Sequence, residues 1–168
     1  GHSFPTRRSS DLRAVGELSG ERGGFQRGLA PGQVARLAGG FPRAGGGGLV
    51  INSRSEKADF TPMFQRAARE RRCLIPASWF FEWRRVNGNK TRDKFAFSLA
   101  DARRGELLYL AGVYNQFLGG YANGGYDGFA VLTREADEQV NPYHDRMPVI
   151  LTQESLKKAW LDPAVSYA

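Results

Sequence analysis

The sequence is poor in the residues that build disulfide frameworks and metal sites, with one cysteine and two histidines among 168 residues. Cys73 alone excludes an internal disulfide framework and a cysteine-based zinc cluster, so we expect no metal and no cofactor. No stretch approaches the roughly 20 apolar residues of a membrane span, and the first residues lack the apolar run of a secretory signal. We therefore expect a cytoplasmic chain with no membrane partner.

Positive charge is what the sequence has in excess. It contains 24 Lys and Arg against 17 Asp and Glu, for a formal charge of +7, and residues 49–93 hold ten basic against five acidic side chains. This balance favours a polyanionic partner, although charge alone carries no specificity. At 41% hydrophobic and 12% aromatic, the chain can form the core of one domain.

The coarse pattern predicts one domain after a tail. Residues 1–12 show no apolar periodicity and are predicted to be a non-native or disordered tail, with a single domain over residues 13–168. Helices are predicted from Thr61-Pro62 to about Arg71, near residues 135–140 and after Thr152, with Asp162-Pro163 as the stop. Strands are predicted over residues 49–51, 73–75, 79–83, 95–99, 107–113, 128–132 and 147–151, with Asn87-Gly88 as a hairpin turn. The fold class is α+β, mainly antiparallel β, with a barrel-like sheet and a few short helices.

Glu82 lies within a run of aromatic residues. Strand alternation puts Trp79, Phe81 and Trp83 on one face and Glu82 on the other. A carboxylate hemmed in by aromatic side chains has a raised pKa suited to proton transfer. The alternative is an ordinary surface ion pair with Arg84, Arg85 or a lysine across the sheet, which spacing alone favours.

Two further polar segments are candidates for chemistry. His144 precedes a predicted strand beside Asp145 and Arg146, where it could act as a general acid or base and Arg146 could hold a phosphate. The alternative is a loop histidine bonded to a backbone carbonyl. The polar segment 52–56 is predicted to be a loop that binds an anion or orients a substrate, as many turns could.

A basic segment over residues 66–85 combines arginines with tryptophans: Arg66, Arg69, Arg71 and Arg72 are followed by Trp79, Trp83, Arg84 and Arg85. These side chains suit stacking on bases and contact with phosphates of a single strand, although a solvated helix face and core tryptophans would also explain them. Cys73 lies in an apolar context and is predicted to be an inert core residue.

In this order and spacing, these segments resemble the SRAP family, the SOS response-associated peptidases also described as abasic-site processing proteins. The resemblance runs from about residue 40 to 161. Its matching parts are Phe64 and residues 51–56, 71–77, 79–83, 110–114, 132–136 and 144–151.

The resemblance implies a function in DNA damage and an SRAP-like fold. Family members use an N-terminal cysteine, exposed by autoproteolysis, whose amine and thiol condense with the opened sugar of an abasic site to give a thiazolidine crosslink. Three residues match catalytic positions of the family. The resemblance implies that Glu82 assists ring opening, that His144 handles protons around the Schiff base, and that Asn52 orients the sugar or the amine. Arg54 and Arg146 match arginines that hold the flanking phosphates. The implied partner is single-stranded DNA containing abasic sites, bound by a monomer near the nucleoid.

The printed sequence departs from the family at its first residues. It begins with Gly1-His2 and has no cysteine before Cys73, which has no free α-amine. We therefore expect the chain as written to bind single-stranded DNA weakly without forming the crosslink. The alternative is a non-catalytic module that binds single-stranded nucleic acid.

Overall fold

A computed structural model describes residues 12–17, 37–43, 48–85, 92–100, 106–117 and 126–167. The predicted tail over residues 1–11 and the Asn87-Gly88 turn lie outside these ranges. Leu12, assigned to the tail, begins the first described strand and pairs with Leu99. Within the described ranges, no helix is long and apolar enough to cross a membrane.

The described chain folds into short strands and two helices. The strands are β1 Leu12–Glu17, β2 Leu37–Gly39, β3 Phe41–Pro42, β4 Leu49–Val50, β5 Asn52–Arg54, β6 Arg72–Ala77, β7 Phe80–Arg85, β8 Arg92–Leu99, β9 Leu108–Phe117, β10 Tyr126–Glu135 and β11 Arg146–Pro148. The helices are α1 Gln65–Glu70 and α2 Glu154–Leu161, and a 3-10 turn spans Ser55–Lys57. The α+β class with mainly antiparallel strands is confirmed.

Strand β10 organises the larger sheet. The antiparallel order is β11-β10-β9-β6, and β2 and β5 both run parallel to β10. A second sheet has the order β1-β8-β7, and β3 pairs with β4. Over the described ranges the larger sheet is open rather than closed into a barrel, so the barrel-like prediction is wrong. Pro76 lies in β6, at an end of that sheet, where a residue without an N–H group is tolerated.

The larger sheet is buried on both faces. Alternating residues of β9 and β10, such as Val113 and Leu132, pack against the helices, with Trp160 of α2 in the same cluster. The opposite face, with Leu110, packs against Phe97 of the three-stranded sheet. This second contact brings β7 next to the loop before β11, where Glu82 and His144 lie.

Three local predictions of secondary structure are wrong. Thr61-Pro62 does not start the helix, because the Thr61 hydroxyl donates to the Lys57 carbonyl at 2.8 Å and a turn precedes α1. The predicted polar loop instead contains β5, which pairs in parallel with residues 131–133 of β10. Residues 138–143 form turns where a short helix was predicted.

Candidate active site

Glu82 and His144 meet where β7 faces the loop before β11. The His144 Nδ1 atom lies 3.6 Å from the Glu82 Oε2 atom and 3.4 Å from the Asp145 Oδ1 atom. The Glu82 side chain is only 17% exposed, whereas the imidazole is partly open to solvent. Two residues far apart in sequence thus form a half-buried pair of ionisable groups.

Surface ion pairs do not account for Glu82. Arg84 pairs with Asp93, at 3.3 Å, and Lys94 lies over the Phe81 ring on the other face of β7. The interpretation that Glu82 pairs with Arg84, or with Lys94 on the neighbouring strand, is therefore wrong. The side chains of Arg85 and Lys90 lie outside the described residues.

The environment of Glu82 disfavours its ionised form. Burial raises the pKa of Glu82 above its ordinary value of 4.5, the charge of His144 opposes this shift, and the nearby Asp145 adds to it. A carboxyl group with a raised pKa keeps its proton at a higher pH and can act as a general acid.

The His144 Nδ1 atom has partners for either protonation state. The Arg146 backbone N–H lies 3.0 Å away and donates to an unprotonated Nδ1, while the Arg146 carbonyl at 3.1 Å accepts from a protonated one. The backbone contact that we considered as a purely structural alternative is thus present, together with the two carboxylates. These contacts hold the imidazole ring in one orientation beside Glu82.

Arg146 is held by Glu56 and Thr133. Its two terminal nitrogens donate to the two Glu56 carboxylate oxygens at 2.9 and 2.8 Å, and one of them also donates to the Thr133 carbonyl at 2.6 Å. The Arg146 side chain is 15% exposed, and its guanidinium lowers the pKa of Glu56. A bidentate pair of this kind fixes the orientation of the guanidinium fork.

Asn52 and Arg54 project from the same side of β5. Both are exposed, with the buried Ser53 between them, as strand alternation requires. Arg54 pairs through its backbone with Thr133, the residue whose carbonyl binds Arg146. The parallel pairing of β5 with β10 therefore places both predicted residues at the end of β10 that holds Arg146.

Arg84 is brought against the loop that carries His144. Its guanidinium carbon lies 5.0 Å from the Phe95 ring centroid and 5.7 Å from that of Tyr143. Trp83 points to the opposite face of β7 and is 43% exposed. The predicted site residues thus divide between the two faces of this strand.

Two residues of the basic segment are structural. Arg72 is buried against Trp160 and donates to the carbonyls of Asp162 and Val165, and Arg71 donates to Asn115. Arg72 is therefore not available for contact with a phosphate, and for this residue the structural alternative applies. Cys73 is partly buried, and burial raises the pKa of its thiol to about 12, which agrees with the prediction of an inert residue.

In the described ranges, no three His, Cys, Asp or Glu side chains are grouped so as to hold a metal ion.

Comparison with models of protein families gives a match over most of the chain. The family model described as "SOS response associated peptidase (SRAP)" matches residues 29–168. The chain belongs to the SRAP family. In this SRAP chain the match includes β5, β7 and β11, the strands that bear or adjoin the candidate residues.

Curated relatives carry names that refer to abasic sites. The chain is 35% identical over 114 residues to the abasic site processing protein YoqW of Bacillus subtilis, a match that covers 68% of this chain and 48% of the relative. It is 36% identical over 114 residues to YobE of the same organism, covering 68% and 49%. The SRAP chain thus spans about half the length of the curated relatives it matches.

Solved structures support the fold. A phage-related protein from Bordetella bronchiseptica matches with a TM-score of 0.60 at 27% identity, covering 79% of this chain and 61% of that one. A protein from Bacteroides thetaiotaomicron also matches with a TM-score of 0.60, at 26% identity, covering 68% and 48%. The SRAP-like fold predicted from the sequence is confirmed.

Sequence reasoning gave no role to Glu56 and Thr133, which hold Arg146. Glu56 was visible as the last residue of the polar segment 52–56, but its partner follows it by 90 residues. Thr133 contributes its backbone carbonyl, which no side-chain pattern reveals.

Proposed function

We propose that this chain binds abasic sites in single-stranded DNA and that Glu82 and His144 act on the exposed sugar. The observation that carries the proposal is the contact between the half-buried Glu82 carboxyl and His144, which has partners for both protonation states. Membership of the SRAP family and the names of the relatives support the same substrate class.

Glu82 is suited to opening the sugar ring. An abasic sugar is a cyclic hemiacetal, so opening requires a proton on the ring oxygen, cleavage of the C1′–O4′ bond and loss of the proton from the C1′ hydroxyl. Because burial raises the pKa of Glu82, its carboxyl can hold the proton that the ring oxygen needs. The product is an open-chain aldehyde, which an amine can attack.

His144 and Asn52 have complementary roles in the proposal. His144 takes and returns protons while an amine condenses with the aldehyde, because its Nδ1 atom has both a donor and acceptors at hand. Asn52 is exposed on β5 and orients the sugar or the attacking amine through its amide. Both roles follow the correspondence with the SRAP family.

Arginines and Trp83 position the strand around the sugar. Arg54 is exposed, and Arg146 and Arg84 are each anchored by a carboxylate. Contacts between these arginines and the phosphates of the strand would make binding sensitive to salt. Trp83 offers an exposed ring on which a base can stack.

The covalent part of the family reaction needs an N-terminal cysteine. We propose that Cys73 is not the residue that forms such a crosslink, because it supplies no α-amine and burial raises the pKa of its thiol. The peptidase and lyase activities implied by the family are assigned to chains that carry that cysteine.

The test compares three otherwise identical single-stranded oligonucleotides. One carries an abasic site, one a tetrahydrofuran analogue that lacks the C1′ hydroxyl, and one an intact base. Fluorescence anisotropy at fixed salt is expected to show the tightest binding for the true abasic site. Equal affinity for all three would contradict the proposal and favour a non-catalytic single-strand binding module.

Two variants and a gel complete the test. Glu82→Gln removes the acidic proton while keeping the side-chain shape, and it is expected to reduce the preference for the abasic site over its analogue without changing affinity for intact DNA. Leu161→Ala, at an exposed position on α2 outside the basic segment, is the control. A heat-stable covalent band on a denaturing gel that disappears in Cys73→Ser would refute the claim that Cys73 does not form the crosslink.

A further inference from the structure

The face of β7 opposite Glu82 carries exposed aromatic side chains. Trp79 directly precedes β7, and Phe81 and Trp83 lie within it, in alternation with inward-facing residues. Trp79 is 51% and Trp83 43% exposed. The Trp79 and Phe81 ring centroids are 6.5 Å apart. We call Trp79, Phe81, Trp83 and the neighbouring Lys94 the tryptophan face.

Lys94 places a positive charge in the middle of this face. It lies opposite Trp83 in the register of β7 and β8, and its Nζ atom is 3.9 Å from the Phe81 ring centroid and 5.7 Å from that of Trp83. The ammonium therefore occupies one side of the Phe81 ring, and the exposed ring surface belongs mainly to the two tryptophans. Trp79 and Trp83 are separated by roughly 13 Å along the strand, with Lys94 between them.

Exposed indole rings around an ammonium group fit one class of ligand in particular. Unpaired bases offer flat rings that stack on tryptophan, and the phosphates that join them are anions. Stacking on aromatic side chains tolerates any base, because every base has an aromatic face. A chain with a formal charge of +7 attracts such a polyanion.

We propose that the tryptophan face is a second contact surface for single-stranded DNA, in which Trp79 and Trp83 each stack on a base and Lys94 contacts a phosphate between them. The inference rests on the proposed function, since the strand is the one whose abasic sugar lies at Glu82. It adds a surface on the opposite side of β7 and a role for Trp79, Phe81 and Lys94.

The position of β7 allows one strand to reach both faces. Among the described residues, β7 is the last strand in the order β1-β8-β7 and forms an edge of that sheet. The Glu82 side and the tryptophan face are the two faces of this one strand. Nucleotides beside the abasic site can pass over this edge and continue onto the indole rings. The tryptophan face is therefore expected to bind flanking nucleotides and not the abasic sugar itself.

The experiment measures the affinity gained when the DNA is lengthened. A short oligonucleotide with an abasic site and one nucleotide on each side is compared with one extended by six thymidines on each side. The unaltered chain is expected to bind the longer DNA more tightly, and Trp79→Ala to lose about fivefold to tenfold of that gain, at the lower end of the effect of one stacked base. Trp79→Phe is expected to retain most of it.

Salt and two control variants sharpen the result. Lys94→Gln is expected to reduce the slope of log affinity against log salt by about 0.7 for the long DNA, the value for one phosphate of a single strand. Leu161→Ala removes a side chain that is 48% exposed on α2 and is expected to change neither quantity. Thermal melting of each variant reports whether the fold is intact.

The outcomes separate the two proposals. If the chain prefers the short abasic oligonucleotide but Trp79→Ala keeps the full gain on extension, the tryptophan face is overturned and the proposed function stands. If the chain does not distinguish abasic from intact DNA while Trp79→Ala still loses the gain, the proposed function fails and the tryptophan face stands. If Trp79→Ala only abolishes self-association in sedimentation, the face joins copies of this chain and the proposal is overturned.

Discussion

Replacing Arg146 by alanine tests the arrangement that holds the His144 loop. The Arg146 guanidinium donates to both oxygens of Glu56 and to the Thr133 carbonyl, and its side chain is 15% exposed. Arg146→Ala removes these hydrogen bonds, a longer one to the Thr133 hydroxyl at 3.4 Å, and the packing of the aliphatic stem. The backbone N–H that faces His144 remains but loses the side chain that anchors it.

The expected loss of stability follows from these contacts. A carbonyl that loses a charged donor costs about 2 kcal/mol, and the pair with the half-exposed Glu56 adds about 0.5–1 kcal/mol. Lost packing of the stem adds about 1 kcal/mol. We expect Arg146→Ala to lower the free energy of unfolding by about 3–4 kcal/mol and the melting temperature by about 6–15 °C for a chain of this length.

Urea and thermal denaturation at pH 7 measure this loss, and two variants act as controls. Glu56→Gln removes only the charge pairing and is expected to cost about 1 kcal/mol or less. Arg66→Ala breaks an exposed pair of the same 2.9 Å length, and no measurable change is expected. A loss of stability below about 0.5 kcal/mol for Arg146→Ala would refute the reasoning. A loss for Glu56→Gln as large as that for Arg146→Ala would also refute it, because burial and the Thr133 contact would then contribute nothing.

The same contact has a defined pH dependence. The pKa of Glu56 is lowered in the folded chain, mainly by its hydrogen bonds to Arg146. A lowered pKa contributes stability that is present above the ordinary value of 4.5 and is lost as the pH falls through the lowered value. The difference between the unaltered chain and Glu56→Gln is therefore expected to shrink under acidic conditions.

Two further predictions follow from burial of Glu82 and Cys73. Because the pKa of Glu82 is raised, Glu82→Gln is expected to gain stability relative to the unaltered chain as the pH rises from 4.5 through the raised value. Urea unfolding at several pH values measures this trend. A stability gain that falls with rising pH would contradict the prediction. With a pKa of about 12, the Cys73 thiol is only about one part in ten thousand ionised at pH 8. A thiol reagent is therefore expected to label the folded chain far more slowly than the chain in urea, and equal rates would show that Cys73 is accessible.

The strands that were predicted well have strong local patterns. Residues 107–113 and 128–132 are apolar and rich in strand-forming residues. All of them except residue 107 lie within β9 and β10, which extend beyond the predicted ends. By contrast, β5 consists of Asn52, Ser53 and Arg54, which have little intrinsic preference for strands. These residues are extended because β10 lies beside them, and the pairing joins segments about 80 residues apart.

The helix signals failed for a different reason. Thr61 and Pro62 are typical of a helix start, yet Thr61 bonds backward to Lys57 and the chain turns before α1 begins at Gln65. The 3-10 turn at residues 55–57 lies just before Thr61 and determines the direction in which the chain continues there. A capping residue can serve either element, and only the neighbouring turn decides between them.

The sequence by itself determined the charge balance, the segments shared with the SRAP family and the alternation that puts Glu82 and Trp83 on opposite faces of β7. These features depend on composition and on residues close together in the chain. Only the tertiary structure decided that Glu82 meets His144 rather than a surface cation, and that Arg146 binds Glu56. Such contacts form when the sheets pack through Phe97, Leu110 and their neighbours, and long-range packing of this kind leaves no local pattern to read.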